Sequence, residues 1–385
     1  METDLLVVGG GSTGAGVAWD AALRGLGVVL VEAGELASGT TGRFHGLLHS
    51  GARYAVADPG AATECREENA ILRRVAAPWI EDTGGLFVVA AGDDHTYAQR
   101  WAEACAALRI PAVEIGAEQA RREEPGLNPR VVRVFRVRDA AVDAAGVVRA
   151  CARAARRRRA RVLTNHRVVR LLVERDAVAG AVVRRAAAAG EEQEIRAAAV
   201  INAAGAWADE VAALAHCRVK VVTSRGVMVA TTRVARMVLN RCRAPSDGDI
   251  LVPMGGESVM GTSDRPAAGP GDLEVPEGEV DRMLEEGEQL VPQLRGAGIT
   301  RAWAAVRPLF EECREGSGDH RGLTRSWALL DHAERDGVGG LLTITGGKFT
   351  TFRRMAEATV DQACSWLGVT SPCHTAIEAL PSEHA

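Results

Sequence analysis

Three glycines near the N-terminus, Gly9, Gly11 and Gly14, are spaced as GxGxxG. They lie between Asp4 to Val8, whose apolar run predicts a buried strand, and Ala15 to Leu23, which predicts a helix. In this setting the first glycine permits a tight turn and the second lets the backbone approach a phosphate. The third lets the helix pack closely on the strand. We therefore expect this turn to bind the pyrophosphate of a dinucleotide.

The segment after the helix completes the site. Val28 to Val31 predicts a second strand that ends at Glu32, where a carboxylate can accept hydrogen bonds from ribose hydroxyls. The helix N-terminus at Ser12 and Thr13 offers N–H groups and a partial positive charge to the phosphates. FAD and NAD share this fingerprint. The return of the chain to Gly346-Gly347-Lys348 favours FAD, because it suits a long dinucleotide that crosses the whole domain.

Two later segments repeat the strand–glycine–helix pattern. Ala199 to Ile201 leads into a turn with Gly205 and Trp207, and Leu341 to Ile344 leads into a helix from about Thr350 to Trp366. Three such units predict an α/β fold with one discontinuous Rossmann-type FAD-binding domain. Its segments are residues 1–82, 140–216 and 335–372.

Between these units the pattern changes to alternation. Gly226 to Thr231 and Ser258 to Thr262 predict strands of a mixed or antiparallel sheet. We assign this sheet to a second, substrate domain that consists of residues 83–139 and 217–334. Residues 373–385 are predicted to form a C-terminal tail.

Composition excludes several classes of function. A net charge of -4 and a pI near 6.2 give no reason to expect nucleic acid as a partner. No apolar run reaches the roughly 20 residues of a transmembrane helix, and the N-terminus has no signal-peptide pattern. The eight cysteines never occur as CxxC, so we predict no metal or iron–sulfur ligation and a cytoplasmic location.

Several segments make the sequence recognisable. Gly42 to Tyr54, Ala305 to Leu309 and Thr345 to Thr351 closely resemble FAD-dependent glycerol-3-phosphate dehydrogenases. Asn240 to Asp247 and Leu330 to Gly337 look more like the A chain of the multisubunit anaerobic enzyme than the aerobic single-chain form. The resemblance runs over nearly the whole chain. It implies oxidation of sn-glycerol 3-phosphate to dihydroxyacetone phosphate, with electrons passed through partner subunits to a membrane quinone.

The resemblance also implies roles for individual residues. His49 matches the family's active-site histidine and is our candidate general base, with His45 as the weaker candidate. Arg53 and Arg307 match the family's phosphate-binding arginines. The role suits them, since guanidinium groups bind a phosphate dianion well. Tyr54 and Lys348 are expected beside the substrate or the flavin, and Lys348 suits either. The residues expected to contact the cofactor, besides those of the first turn, are Thr41, Gly42, Arg43, His45, Gly46, Gly205, Trp207, Gly346, Gly347, Lys348, Thr350 and Thr351.

The sequence also departs from this family. Relatives of the anaerobic type continue into a cysteine-rich C-terminal domain, which we expect to be absent here or supplied by another chain. Without a transmembrane segment, contact with the inner face of the cell membrane would be peripheral. Two alternatives remain open: an amine or 2-hydroxy-acid oxidase or dehydrogenase of the same fold, and a flavoprotein that has lost turnover.

Overall fold

The computed structural model describes residues 1–186, 190–310 and 326–383. Within these ranges the strands are β1 Glu2–Val8, β2 Val28–Val31, β3 Leu47–Leu48, β4 Ile80–Glu81, β5 Gly85–Ala90, β6 Val113–Ile115, β7 Val131–Val137, β8 Ala140–Val142, β9 Arg161–Leu163, β10 His166–Glu174, β11 Ala177–Arg185, β12 Glu192–Asn202, β13 Val221–Thr232, β14 Val238–Arg241, β15 Ile250–Met254, β16 Glu257–Gly261, β17 Arg265–Pro266, β18 Ile299–Phe310, β19 Trp327–Asp331 and β20 Leu341–Gly346. The α-helices are α1 Ser12–Leu23, α2 Pro59–Val75, α3 His95–Ala107, α4 Ala117–Glu123, α5 Ala144–Arg157, α6 Ala208–Ala213, α7 Glu279–Glu288, α8 His332–Asp336 and α9 Phe352–Leu367.

The first sheet has a parallel centre in the order β20, β12, β1, β2 and β9. Strand β1 is buried on both faces, which explains its unbroken apolar run. Leu5 and Val7 pack in one core with α1 and α9. Leu6 and Val8 pack in a second core with the antiparallel pair β10 and β11. This is the Rossmann-type arrangement that the three strand–glycine–helix units predicted.

The second sheet runs in the order β17, β13, β16, β15, β14, β5, β7 and β6, with β18 also paired to β13. All of its pairs are antiparallel except β14 with β5. The mixed or antiparallel second sheet expected from the alternating segments is therefore present, and the predicted fold class is confirmed.

Three boundaries differ from the sequence expectations. Helix α1 begins at Ser12 rather than Ala15, so the glycine turn enters the helix directly. A 3₁₀ turn occupies Phe349–Thr351, and α9 therefore begins at Phe352 rather than Thr350. Strand β19 falls inside the range 217–334 assigned to the second domain, yet it pairs antiparallel with β20 of the first sheet. By strand pairing, that range should end before Trp327.

The parallel strands determine where the three glycine-containing turns meet. Strands β1, β12 and β20 run in the same direction, so the turns that follow them leave the same edge of the sheet. A small sheet of β3, β8 and β4 carries the segment around His49. In the described ranges, no helix is both long enough and apolar enough to cross a bilayer.

Candidate active site

A cavity of about 1250 Å³ lies at this edge and is lined by residues from both sheets. This volume exceeds the ~300–1,000 Å³ of typical small-molecule sites, as a dinucleotide together with a substrate would require. Two parts of its lining are chemically different. We call Gly9, Gly11, Ala203, Ala204 and Gly205 the glycine wall, and His49, Arg53, Arg307 and Lys348 the cationic wall.

The glycine wall is built from close backbone contacts. Gly9 has φ +108°, and a Cβ there would lie 2.5 Å from the Ala203 carbonyl oxygen. A Cβ on Gly14 would lie 1.9 Å from the Gly9 carbonyl oxygen, so only glycine lets α1 pack this closely. Gly11 is the N-cap residue of α1 and provides no side-chain cap. The N-terminus of α1 therefore reaches the cavity as a phosphate-binding turn does.

Glu32 lines the cavity just after β2. Its carboxylate accepts hydrogen bonds from the backbone N–H groups of Gly10 at 2.7 Å and Gly34 at 2.8 Å. These bonds hold the carboxylate at the place where the sequence predicted a ribose partner. Thr41 lines the cavity nearby, and its Oγ1 accepts from the Ser12 N–H at 3.1 Å.

His49 is buried on the cationic wall, and its backbone is held on both sides. Its N–H donates to Thr350 Oγ1 at 3.1 Å, and its carbonyl oxygen accepts from Asn69 Nδ2 at 3.1 Å. The ring Nε2 lies 3.4 Å from the Tyr54 hydroxyl. Nδ1 is buried without a hydrogen-bond partner in the described part of the chain. Burial first, and then the nearby positive charges of Lys348 and Arg53, hold the pKa of His49 well below its usual range.

His45 also lines the cavity and is buried. Its Nδ1 accepts a hydrogen bond from the Leu47 N–H at 3.2 Å, which requires that nitrogen to be unprotonated. Burial first, and then the positive charges of Arg307 and Arg53, lower the pKa of His45 to about 3. Both histidines are therefore neutral at physiological pH.

The two arginines differ in how the protein holds them. Arg53 Nη2 donates to Asp249 Oδ2 at 2.7 Å, and the Asp249 carboxylate is almost fully buried. Arg307 uses both terminal nitrogens: Nη1 donates to Ser224 Oγ at 2.9 Å, and Nη2 donates to Thr262 Oγ1 at 2.9 Å and to the Ser263 carbonyl at 2.6 Å. Arg53 therefore keeps more of its five donors for a ligand than Arg307 does.

Lys348, the last member of the cationic wall, lies against Tyr54. The Lys348 Nζ lies 4.7 Å from the centre of the Tyr54 ring, in a cation–π contact. The Lys348 backbone N–H donates to Thr351 Oγ1 at 3.3 Å, which positions the residue just before α9. Both side chains line the cavity.

The structure brings most of the predicted residues together. Those that line the cavity are Gly9, Gly11, Ser12, Thr13, Glu32, Thr41, His45, His49, Arg53, Tyr54, Gly205, Trp207, Arg307, Gly346, Gly347 and Lys348. Six others are not part of the lining: Gly14, Gly42, Arg43, Gly46, Thr350 and Thr351. Two of them hold neighbouring groups in place. Thr350 Oγ1 accepts from the His49 N–H, and the Arg43 carbonyl accepts from Trp303 Nε1 at 2.6 Å. Their contact with a cofactor remains a prediction.

Sequence reasoning missed the carboxylates around this wall. Asp249 and Asp264 lie next to Arg53 and Arg307, with Asp264 Oδ1 3.5 Å from Arg307 Nη1. Asp139 is buried and accepts from the Ser50 N–H at 2.6 Å and from Asn240 Nδ2 at 3.0 Å. Asp249 follows the Asn240 to Asp247 motif by two residues, which was the one available signal.

One group of metal-ligand types lies in the described ranges. Cys217, His332 and Asp336 place ligand atoms within 4.8 Å of one another. His332 already uses both ring nitrogens, with Nδ1 2.5 Å from Asp336 Oδ2 and Nε2 2.8 Å from Thr343 Oγ1. Hydrogen bonds therefore account for this group without an ion. Cys313, one of the eight cysteines, lies outside the described residues.

Comparison with known proteins agrees with the geometry. A family model described as "FAD dependent oxidoreductase" matches residues 4–353. The A1 chain of the anaerobic glycerol-3-phosphate dehydrogenase of Haloferax volcanii is 45% identical over 98% of this chain and 66% of its own length. The A chain of the Escherichia coli enzyme is 44% identical over 99% of this chain and 70% of its own length. The protein thus spans about two thirds of these relatives.

A solved structure has the same overall fold. The glycerol-3-phosphate dehydrogenase of Bacillus halodurans, determined in complex with FAD, superposes with a TM-score of 0.76 at 25% identity. The superposition covers 99% of this chain and 68% of that protein. Together with the family match, this confirms the prediction of FAD as the cofactor.

Proposed function

Because the chain belongs to the family of FAD-dependent oxidoreductases, we propose that it oxidises sn-glycerol 3-phosphate to dihydroxyacetone phosphate. One observation supports this most directly: a single cavity joins a dinucleotide-binding glycine wall to a neutral histidine and three cationic side chains. That combination suits an alcohol that carries a phosphate. The identity of 44–45% to relatives named for this substrate supports the same assignment.

The cavity fits FAD on its own evidence. The close approach of Gly9 to Ala203 leaves no room for a side chain, and the N-terminus of α1 opens beside it. Ser12, Thr13 and Gly11 would hold the pyrophosphate, and Glu32 would hold the adenosine ribose. When bound, FAD supplies the redox chemistry by accepting a hydride at N5.

The chain's own residues provide the proton transfer. In our proposal His49 Nε2 accepts the proton of the substrate hydroxyl, which requires the tautomer with hydrogen on Nδ1. Because its pKa is depressed, His49 is neutral at pH 7 and ready to accept. The same depression makes the protonated ring unfavourable among nearby cations, so His49 then releases the proton to solvent water.

The phosphate is assigned to the cations. Arg53 and Arg307 donate charge-assisted hydrogen bonds to its oxygens, with Lys348 as a third charge beside Tyr54. Asp249 lies beside Arg53 and Asp264 beside Arg307, so a carboxylate orients each guanidinium group at the cavity. We assign Lys348 to the phosphate or to the flavin edge, since its position at the cavity serves both.

The test is anaerobic mixing of the purified yellow protein with glycerol 3-phosphate while the visible flavin absorbance is followed. We expect rapid bleaching with glycerol 3-phosphate and none with glycerol. His49→Asn should slow bleaching by roughly 10²–10⁴-fold, and Arg307→Gln should raise the substrate concentration needed. His95→Asn and Arg301→Gln, which alter exposed side chains, are the matched controls. A flavin that stays oxidised with glycerol 3-phosphate would exclude this substrate.

A second candidate is an amine or 2-hydroxy-acid oxidase or dehydrogenase of the same fold. The observation in its favour is that both arginines have an aspartate nearby, which leaves less positive excess than three cations suggest. A monoanionic carboxylate needs only one arginine. Bleaching by amino acids or 2-hydroxy acids, without bleaching by glycerol 3-phosphate, would establish this alternative.

We further propose that electrons leave through partner subunits to a membrane quinone at the inner face of the cell membrane. The relatives are named as one lettered component of their enzymes, which supports an assembly with other chains. Re-oxidation of the bleached protein by a quinone analogue should be much faster than by air. Equal or faster re-oxidation by air, with release of hydrogen peroxide, would identify an oxidase instead.

A further inference from the structure

Asp249 is a buried carboxylate that contacts the cationic wall without lining the cavity. Its Oδ2 accepts from Arg53 Nη2 at 2.7 Å and from the Ser246 N–H at 2.6 Å. Its Oδ1 accepts from Arg243 Nε at 2.8 Å. One group therefore holds both Arg53 and Ser246, and both of those residues line the cavity.

The carboxylate belongs to a longer chain of ion pairs. Arg243 Nη2 donates to Glu286 Oε2 at 2.8 Å, and Arg241 donates to the same oxygen at 2.8 Å and to Asp93 at 2.7–3.0 Å. Three guanidinium groups and three carboxylates alternate, so their formal charges cancel. The Glu286 side chain is 33% exposed and the Asp249 side chain 1%. Arg53 is thus anchored at one end of this network by a carboxylate that is almost fully buried.

Anchoring matters because a free arginine has many rotamers. Ordering such a side chain costs conformational entropy, and a bond formed before the ligand arrives removes that cost from binding. A guanidinium has five N–H donors. The bond to Asp249 occupies one of them, and Arg53 still lines the cavity.

We propose that Asp249 is a positioning residue that fixes the Arg53 guanidinium for the phosphate of the substrate. The inference rests on the proposed function, since it takes glycerol 3-phosphate as the ligand. It also predicts the direction in which KM for glycerol 3-phosphate changes when Asp249 is replaced. A carboxylate close to a phosphate dianion repels it, so removal of the charge alone lowers KM, whereas loss of the anchor raises KM.

Asp249→Asn tests which effect dominates. We expect KM for glycerol 3-phosphate to rise about tenfold, kcat to change less than about twofold, and the inhibition constant of inorganic phosphate to rise in parallel with KM. Asp249→Glu, which keeps the charge, should recover part of the loss. Asp272→Asn is the matched control, because Asp272 pairs with Arg225 at 2.6 Å but neither residue lines the cavity.

Arg243→Gln is the second variant, since it loosens Asp249 from its other side without touching the cavity. It should raise KM by a smaller factor than Asp249→Asn does. If Asp249→Asn does not fold, an unchanged KM in Arg243→Gln overturns the positioning role. A KM that is unchanged or lower in a folded, FAD-loaded Asp249→Asn protein overturns the positioning role alone. A wild-type protein that does not oxidise glycerol 3-phosphate overturns the proposed function, and the positioning role with it.

Discussion

The glycine wall and the cationic wall line one cavity but are constructed in opposite ways. The glycine wall consists of backbone, and its main contact joins Gly9 to Ala203 through two parallel strands. The cationic wall consists of side chains, and its arginines are held by partners from distant segments, such as Arg53 by Asp249. One wall obtains its geometry from main-chain packing and the other from a set of ion pairs and hydrogen bonds.

This difference determines how each wall responds to change. The backbone has no spare room at Gly9 or at Gly14 beside it, so an added methyl group there forces the strand and helix apart. A side-chain wall can lose one contact and keep the rest, since Arg307 donates to Ser224, Thr262 and Ser263. We therefore expect all-or-none effects on the glycine wall and graded effects on the cationic wall.

The largest effect is expected from Gly14→Ala. The new Cβ would meet the Gly9 carbonyl oxygen at 1.9 Å, which separates α1 from the glycine turn. The FAD content of the purified protein should fall at least about tenfold, because the pyrophosphate loses the helix N-terminus. Flavin absorbance relative to protein absorbance measures this. Gly92→Ala is the control, since a Cβ there meets nothing within 4 Å. Normal FAD content in Gly14→Ala would show that the glycine wall tolerates an added methyl group, and the expected difference between the two walls would be wrong.

Arg53→Gln tests the graded response of the cationic wall. The variant loses the charge and the bond to Asp249, and KM for glycerol 3-phosphate should rise roughly 10²-fold with FAD content unchanged. Steady-state kinetics with an artificial dye acceptor measures both constants. Arg133→Gln, which breaks an exposed pair with Glu114, should leave them as in the wild type. Loss of FAD in Arg53→Gln would show that the two walls are not independent.

The same contrast explains what the sequence could predict. GxGxxG works as a signal because its parts lie within six residues and follow a strand. The three strand–glycine–helix units predicted one shared domain, and their strands β1, β12 and β20 are neighbours in one sheet. The fold and the glycine wall were therefore accessible from periodicity and spacing alone.

The cationic wall was accessible only through resemblance. Arg53 and Asp249 are 196 residues apart, and His49 and Thr350 are 301 apart. Nothing in a local pattern links such pairs, because their meeting depends on how the two sheets pack. Cysteine spacing, likewise, gave no hint that Cys217 would lie beside His332 and Asp336.

Asp139→Asn should have a smaller effect, on stability. Burial raises the pKa of this carboxyl, while the Ser50 N–H and the Asn240 amide donate to it and oppose that rise. In the variant, the NH₂ group of the new amide would face either the Ser50 N–H or the Asn240 NH₂ group. That donor would then be buried without an acceptor. We expect the free energy of unfolding to fall by about 2 kcal/mol.

Urea denaturation of the FAD-loaded protein measures this loss. The exposed turn residue Asp176 provides the control, since Asp176→Asn keeps a turn-compatible side chain. A loss below about 0.5 kcal/mol for Asp139→Asn would mean that the carboxylate does not tie the segment after His49 to β14.

The smallest effect is a dependence of stability on pH. The pKa of His45 in the folded protein is about 3, below the unfolded value of 6.5, so between these values the unfolded chain binds a proton that the folded chain does not. Stability therefore rises with pH in this window, by up to about 1.4 kcal/mol per pH unit for one histidine.

His45→Asn keeps an acceptor for the Leu47 N–H and removes this contribution, so its urea midpoints from pH 6 to 4.5 should fall less steeply than those of the wild type. His95→Asn, on the exposed start of α3, should follow the wild-type slope. Equal slopes for all three proteins would mean that His45 binds a proton as readily in the folded protein as in the unfolded chain, and its Nδ1 would then not accept the hydrogen bond from the Leu47 N–H.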